Sequence, residues 1–183
     1  MTRNPLLAVL ALTLTFAAVA DDADARPRPK QGKSFEANKT FGLGLELGAP
    51  SGLTGKYFLS QDRALQFGVG TIYHWRERDG LNLYLDYLFH PVSLASNPTF
   101  ELPLYFGIGG RLWDVDDYSR NDRYNDTFAI GLHVPVGISF DFNNVPLDIF
   151  IQLAFVLDFY TGDYYRDVYG DLNGSVGVRY WFN

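Results

Sequence analysis

The sequence predicts an all-β fold, a closed barrel of eight antiparallel strands in up-and-down order spanning residues 41–183. Three observations carry that expectation. Large apolar residues recur at every second position in eight successive runs, the period of a strand. The intervening positions hold glycine, small residues or charge, so the two faces differ in kind. The aromatic residues of the apolar face collect at the ends of the runs. The segment from Phe128 to Phe142 shows the alternation best. Phe128, Ile130, Leu132, Val134, Val136, Ile138, Phe140 and Phe142 share one face, and Ala129, Gly131, His133, Pro135, Gly137, Ser139 and Asp141 share the other.

In chain order, Arg3 precedes a run from Leu6 to Ala20 whose only polar residues are threonines, followed by the small-residue sequences AVA and ADA. Such a pattern predicts a secretory signal peptide over residues 1–25, cleaved after Ala20 or Ala25. The run is shorter than the roughly 20 apolar residues that a spanning helix needs. Removing it takes away Arg3, Asp21, Asp22 and Asp24, which moves the formal net charge from -6 to -4. A mildly acidic chain is a poor nucleic-acid binder. With no cysteine there is no disulfide framework, thiol chemistry or thiolate metal site. Residues 26–40 (RPRPKQGKSFEANKT) are polar and basic and contain proline, which reads as a loosely attached linker on the periplasmic side.

The strands are expected at 41–48, 53–60, 64–76, 81–89, 100–113, 127–142, 147–159 and 172–182. GAPSG, SQDR, RERDG, HPVSLASNP, DVDDYSRND, FNNVP and TGDYYRDVYG connect them in turn. Outer-membrane barrels have short periplasmic turns and longer outer loops. With both termini in the periplasm, the two most elaborate connections fall outside the cell, although HPVSLASNP is long for a periplasmic turn. Pro103 and Pro135 interrupt two of the strands, where each removes one ladder hydrogen bond.

A soluble barrel with its apolar face inward competes with a barrel whose apolar face meets lipid, and volume decides between them. An eight-stranded interior is just wide enough for side chains to fill it, so the larger, apolar set cannot all go inside. The other face carries Gly42, Gly44, Gly107, Gly109, Gly131, Gly137 and Gly177, leaving room for Phe58, Tyr84, Tyr105, Trp113, Phe150 and Trp181 in a filled lumen. Tyr87, Phe89, Phe100, Phe140, Phe142, Tyr180 and Phe182 cluster at the expected periplasmic ends, as in an interfacial girdle. The reading is therefore a transmembrane β-barrel in the outer membrane of a Gram-negative cell.

The last strand, LNGSVGVRYWF, keeps Val176, Val178, Tyr180 and Phe182 in one phase, with Asn183 after the final aromatic. It is similar to the C-terminal signal read by the outer-membrane assembly machinery. Over residues 41–183 the pattern resembles the small eight-stranded outer-membrane barrels of the OmpA transmembrane domain and OmpX group. That resemblance implies a monomer in contact with outer-membrane lipid and lipopolysaccharide, with a role in envelope structure or in surface recognition and adhesion through its outer loops. The alternatives are a small pore and a lipid A-modifying enzyme.

The inward phase contains Glu46, Lys56, Asp86, Arg111, His133, Asp141, Asp148 and Arg179, together with His74, Glu101, Gln152 and Asp158. Charges removed from water need partners, so these residues are expected to form a polar network within the lumen. The first hairpin suggests a Glu46–Lys56 pair, and Arg179 falls near Asp148 and Asp141. Tyr118, Tyr124, Tyr164, Tyr165 and Tyr169 in the outer loops offer rigid amphipathic contact area for an extracellular ligand. No catalytic set is expected. His133 and Ser139 lie too far apart on one strand, His90 precedes Pro91 in a turn, and nothing fixes a contact between His74 and Ser119. The aspartates of DVDDYSRNDRYNDT lack the glycine and terminal glutamate of a calcium loop, so neither a metal nor a cofactor is expected.

Overall fold

The computed structural model describes residues 34–72, 78–117, 126–161 and 168–182. Eight strands follow one another: β1 Phe41–Gly48, β2 Ser51–Phe58, β3 Arg63–Ile72, β4 Arg78–Ser96, β5 Phe100–Asp117, β6 Asp126–Phe142, β7 Leu147–Thr161 and β8 Val168–Phe182. Each pairs antiparallel with its neighbour, and β8 returns to β1 from Phe41↔Phe182 to Gly48↔Ser175. The barrel is closed, so neither β1 nor β8 is left as a free edge along this seam.

The faces are inverted relative to a water-soluble barrel. Leu47, Leu53, Leu81, Ile108 and Leu172 are each more than half exposed, whereas Lys56, Asp86, Asp158 and Arg179 are buried. Every strand with described side chains keeps one inward phase, with one exception in β4. There the inward residues run Tyr84, Asp86, Leu88 and His90 and then resume at Ser93. The pairing with β5 shifts by one residue between Phe89↔Phe106 and Val92↔Leu104, and again before Ser96↔Glu101. An extra residue in one strand bends it and turns its following side chains to the other face.

These bulges correct the reading of HPVSLASNP as a turn. The strand continues through His90 and Pro91 to Ser96, and the connection is only the short step to Phe100, held by Asn97 Oδ1 accepting from the N–H groups of Thr99 and Phe100, both at 2.9 Å. The terminal end of the barrel thereby has short turns throughout. Leu94, exposed in the new outward phase, was the available signal, masked by the proline.

Pro103 and Pro135 are both accommodated in the β5–β6 seam without a change of register. Pairing lapses between Phe106↔Val136 and Gly109↔His133 and again between Glu101↔Asp141 and Leu104↔Ile138, then resumes in step each time. A missing N–H thus costs a local gap in the ladder while its neighbours hold the alignment.

Interior volume is partitioned by a simple rule. Four large lumen aromatics each lie directly across a ladder from glycine: Tyr84 from Gly68, Tyr105 from Gly137, Phe150 from Gly177 and Trp181 from Gly42. A methyl group added at Gly68 would lie 2.4 Å from the Tyr84 ring, and one at Gly137 2.5 Å from the Tyr105 ring. Each ring lies down over the bare backbone beside it, which lets a narrow barrel hold bulky side chains at native density. At the terminal end the outward aromatics make contact across strands, with Phe41 stacked on Phe182 and Phe100 beside Phe140.

Candidate functional site

The inward polar residues form layered braces across the lumen. Nearest the termini, Asp148 and Arg179 are direct ladder partners on β7 and β8. Arg179 Nε and Nη2 donate to the two Asp148 oxygens, each at 3.1 Å, while Nη1 donates to Gln66 Oε1 at 3.0 Å. Gln66 Nε2 in turn donates to Gln152 Oε1 at 2.8 Å, which also accepts from the Tyr105 hydroxyl at 3.1 Å. This chain links β8, β7, β3 and β5 across the barrel. The Arg179 guanidinium also lies 4.1 Å from the Phe150 ring centroid. A bidentate arginine with a third donor also engaged is the kind of arrangement that makes a buried ion pair tolerable.

The next layers reach over a glycine. Asp86 on β4 and His133 on β6 both pair with Gly109 of the intervening β5. His133 Nδ1 lies 2.8 and 2.9 Å from the two Asp86 oxygens, a hydrogen-bonded pair buried within the lumen. One strand further round, Arg111 on β5 and Asp158 on β7 both pair with Gly131 of β6. Arg111 Nε donates to Asp158 Oδ1 at 2.7 Å, and Nη2 to Oδ2. The absence of a side chain in the middle strand opens each path: a methyl at Gly109 would stand 2.2 Å from Asp86 Oδ1, and one at Gly131 2.1 Å from Asp158 Oδ1.

The Glu46–Lys56 pair expected from the first hairpin does not form. The hairpin pairs Glu46 with Gly52 and Lys56 with Gly42, which puts them four residues apart along the strands. Glu46 Oε1 instead accepts from the Tyr84 hydroxyl at 2.9 Å, with Thr54 Oγ1 3.2 Å from the same hydroxyl. The Lys56 ammonium sits over the Tyr105 and Phe58 rings, 4.4 and 5.5 Å from their centroids, a cation–π arrangement. Asp141 bonds to Lys39, a residue before β1 that the sequence reading placed in the linker. Register explains the first difference: a sequence shows which residues share a face but not which rows they occupy. Gln66 went unnoticed, although its place in phase with Ala64 and Gly68 was the available signal.

His90, expected in a turn, is inward and buried in β4. Of the loop tyrosines, Tyr118, Tyr124, Tyr164 and Tyr165 lie outside the described residues, as do His74, Ser119 and the signal segment. Tyr169 is within β8, half-buried and paired with Asp158, so it is a strand residue and not part of the loop. The β7–β8 hairpin runs further than the apolar alternation does, and the strand passes straight through Gly170 and Asp171, which read as turn residues. Among the described residues no three histidine, aspartate or glutamate side chains converge as a metal site.

No protein-family model and no curated protein matches this sequence. Among solved structures, the fold is similar to the N-terminal β-barrel domain of Pseudomonas aeruginosa OprF, with a TM-score of 0.55, 17% sequence identity, and a match covering 83% of this chain and 100% of that one. At this identity the likeness is one of architecture, and what the two chains share is the fold of a closed antiparallel β-barrel.

Proposed function

We propose that this protein is an integral outer-membrane β-barrel with a plugged polar lumen, acting in envelope structure and in surface recognition through its outer loops. The observation that carries this reading is the pairing of an apolar exterior with an interior crossed by charged and polar braces. An exposed belt of leucine, isoleucine and phenylalanine around the whole wall has no counterpart in a water-soluble monomer, where large contiguous apolar patches are avoided. In lipid the same belt is the favourable surface, and a closed barrel satisfies its backbone internally. The fold shared with the OprF barrel domain supports this location.

The braces argue against a solute pore and against catalysis. Asp86–His133, Arg111–Asp158 and Asp148–Arg179–Gln66–Gln152 engage one another and hold strands together. They are best read as a core that sets register and rigidity. Recognition is assigned to the connections that leave the barrel opposite the termini, between β5 and β6 and between β7 and β8. Their ligand is a molecule at the cell surface, lipopolysaccharide sugars included.

The first test is mobility on a denaturing gel, boiled and unboiled, after refolding into detergent micelles. A heat-dependent shift is expected, and a chain that folds as a soluble monomer without detergent would overturn the membrane reading. Excising residues within 118–125 or 162–167 is expected to leave that shift intact while abolishing binding of whole cells or purified lipopolysaccharide. Binding that survives excision of both segments counts against the loop assignment. An altered acyl or phosphate pattern of lipid A in cells carrying the gene, read by mass spectrometry, would restore the enzyme reading.

A further inference from the structure

We propose that residues 34–40 form a strap that seals the lumen at the end where β1 begins and β8 ends. The segment precedes β1 and belongs to no strand, yet Phe35 is only 2% exposed. Its ring lies 5.8 Å from that of Phe58 on β2 and 5.3 Å from the imidazole of His90 on β4, centroid to centroid. Two residues on, the Ala37 N–H donates to Gln61 O at 2.8 Å in the β2–β3 turn. Lys39 then reaches the far wall, pairing with Asp141 and donating to Phe142 O at 2.8 Å at the end of β6. Anchors on β2, β4 and β6 cannot all be touched by a chain that runs along the rim beside β1, so the segment crosses the mouth.

What lies beneath explains why a cover is needed. Phe58, His90 and Tyr105 pack ring against ring, with Phe58–His90 at 5.0 Å and His90–Tyr105 at 5.6 Å. Lys56 rests on the Tyr105 face just beyond them. From this end the Arg179–Gln66–Gln152 chain is the first brace across the lumen, and Phe35 packs on the Phe58 and His90 rings on its mouth side. Sequence composition gives no hint of this, because one phenylalanine in a polar segment reads as incidental. The strap makes the mouth a separately held element: its contacts are few, and elements with few buried contacts open at lower free energy than the fold as a whole.

The chain contains no cysteine, so single introduced thiols report accessibility without background. His90→Cys in the full chain, refolded in micelles, is labelled with a small charged methanethiosulfonate reagent, with and without Phe35→Ala plus Lys39→Ala. Lifting the strap is expected to speed labelling about tenfold or more, while Val156→Cys, buried elsewhere in the lumen, keeps its rate. Equal rates at position 90 with the barrel still folded, or equal acceleration at both positions, would overturn the proposal. If the double substitution removes the folded form on the gel, Lys39→Gln alone is compared through Phe58→Cys, and unchanged labelling there overturns it too. The contrast is read equally in buffer if the chain folds without detergent, so failure of the membrane reading and failure of the strap give different results.

Discussion

Arg179 is the residue on which most of the lumen depends, since one guanidinium engages Asp148, Gln66 and the Phe150 face. Arg179→Met leaves Asp148 buried without its counter-charge, a change that typically costs about 3–5 kcal/mol. The expected outcome is a lower midpoint in urea unfolding of the folded barrel, with much of the loss recovered in Arg179→Met/Asp148→Leu, where neither charge remains. At Gly68 the constraint is space. The three atoms nearest an alanine methyl there would all belong to the Tyr84 side chain, at 2.4 to 2.7 Å, so Gly68→Ala is expected to be destabilising in the native background. In a Tyr84→Ala background it is expected to be nearly neutral, and an additive double-mutant cycle would show that the ring is not what forbids a side chain.

Elements contribute through the alternation of large and absent side chains between neighbouring strands. The Asp86–His133 and Arg111–Asp158 bridges are each two strands wide, and each passes over a glycine in the strand between. Gly131→Ala is therefore expected to cost more than an exposed glycine substitution, by about 3 kcal/mol or more, because it displaces a carboxylate from its arginine. Gly110→Ala on the outward phase of β5, where an added methyl meets nothing nearer than 3.7 Å, is the control and is expected to be near neutral. Equal unfolding midpoints for the two variants would show that the bridge tolerates a methyl in its path. The bulges of β4 belong to this scale as well. They return Ser93 to the inside after Pro91 and so allow a single strand to run from Arg78 to Ser96.

At the scale of the molecule, the braces join strands far apart in the chain. Gln66 to Gln152 and Arg179 to Gln66 are contacts that only a closed barrel brings within reach. The plugged interior proposed above would leave ions no continuous path. Purified barrels in planar bilayers are expected to show no sustained open level, and reproducible large conductance steps would restore the pore reading. Replacing Gln152 and Arg179 together by alanine removes the main crossing of the lumen, and its expected effect in the same recording is the appearance of brief openings.

Residue by residue, much of this was legible. The inward phase of Glu46, Lys56, Asp86, Arg111, His133, Asp141, Asp148 and Arg179, and the filling of the lumen by Tyr84, Tyr105, Trp113, Phe150 and Trp181, follow from a period of two, because a strand points alternate side chains to opposite faces. Strand number and closure follow from eight such runs and from the need to bury every ladder edge. What the tertiary structure alone decided is which rows meet. Glu46 finds Tyr84 and not Lys56, Asp141 finds Lys39 from the segment before β1, and Phe35 leaves an apparent linker to cap the barrel. Face is a local property of the backbone, whereas partner choice depends on stagger between strands and on shifts such as those of β4. Those are fixed only when the last strand closes on the first.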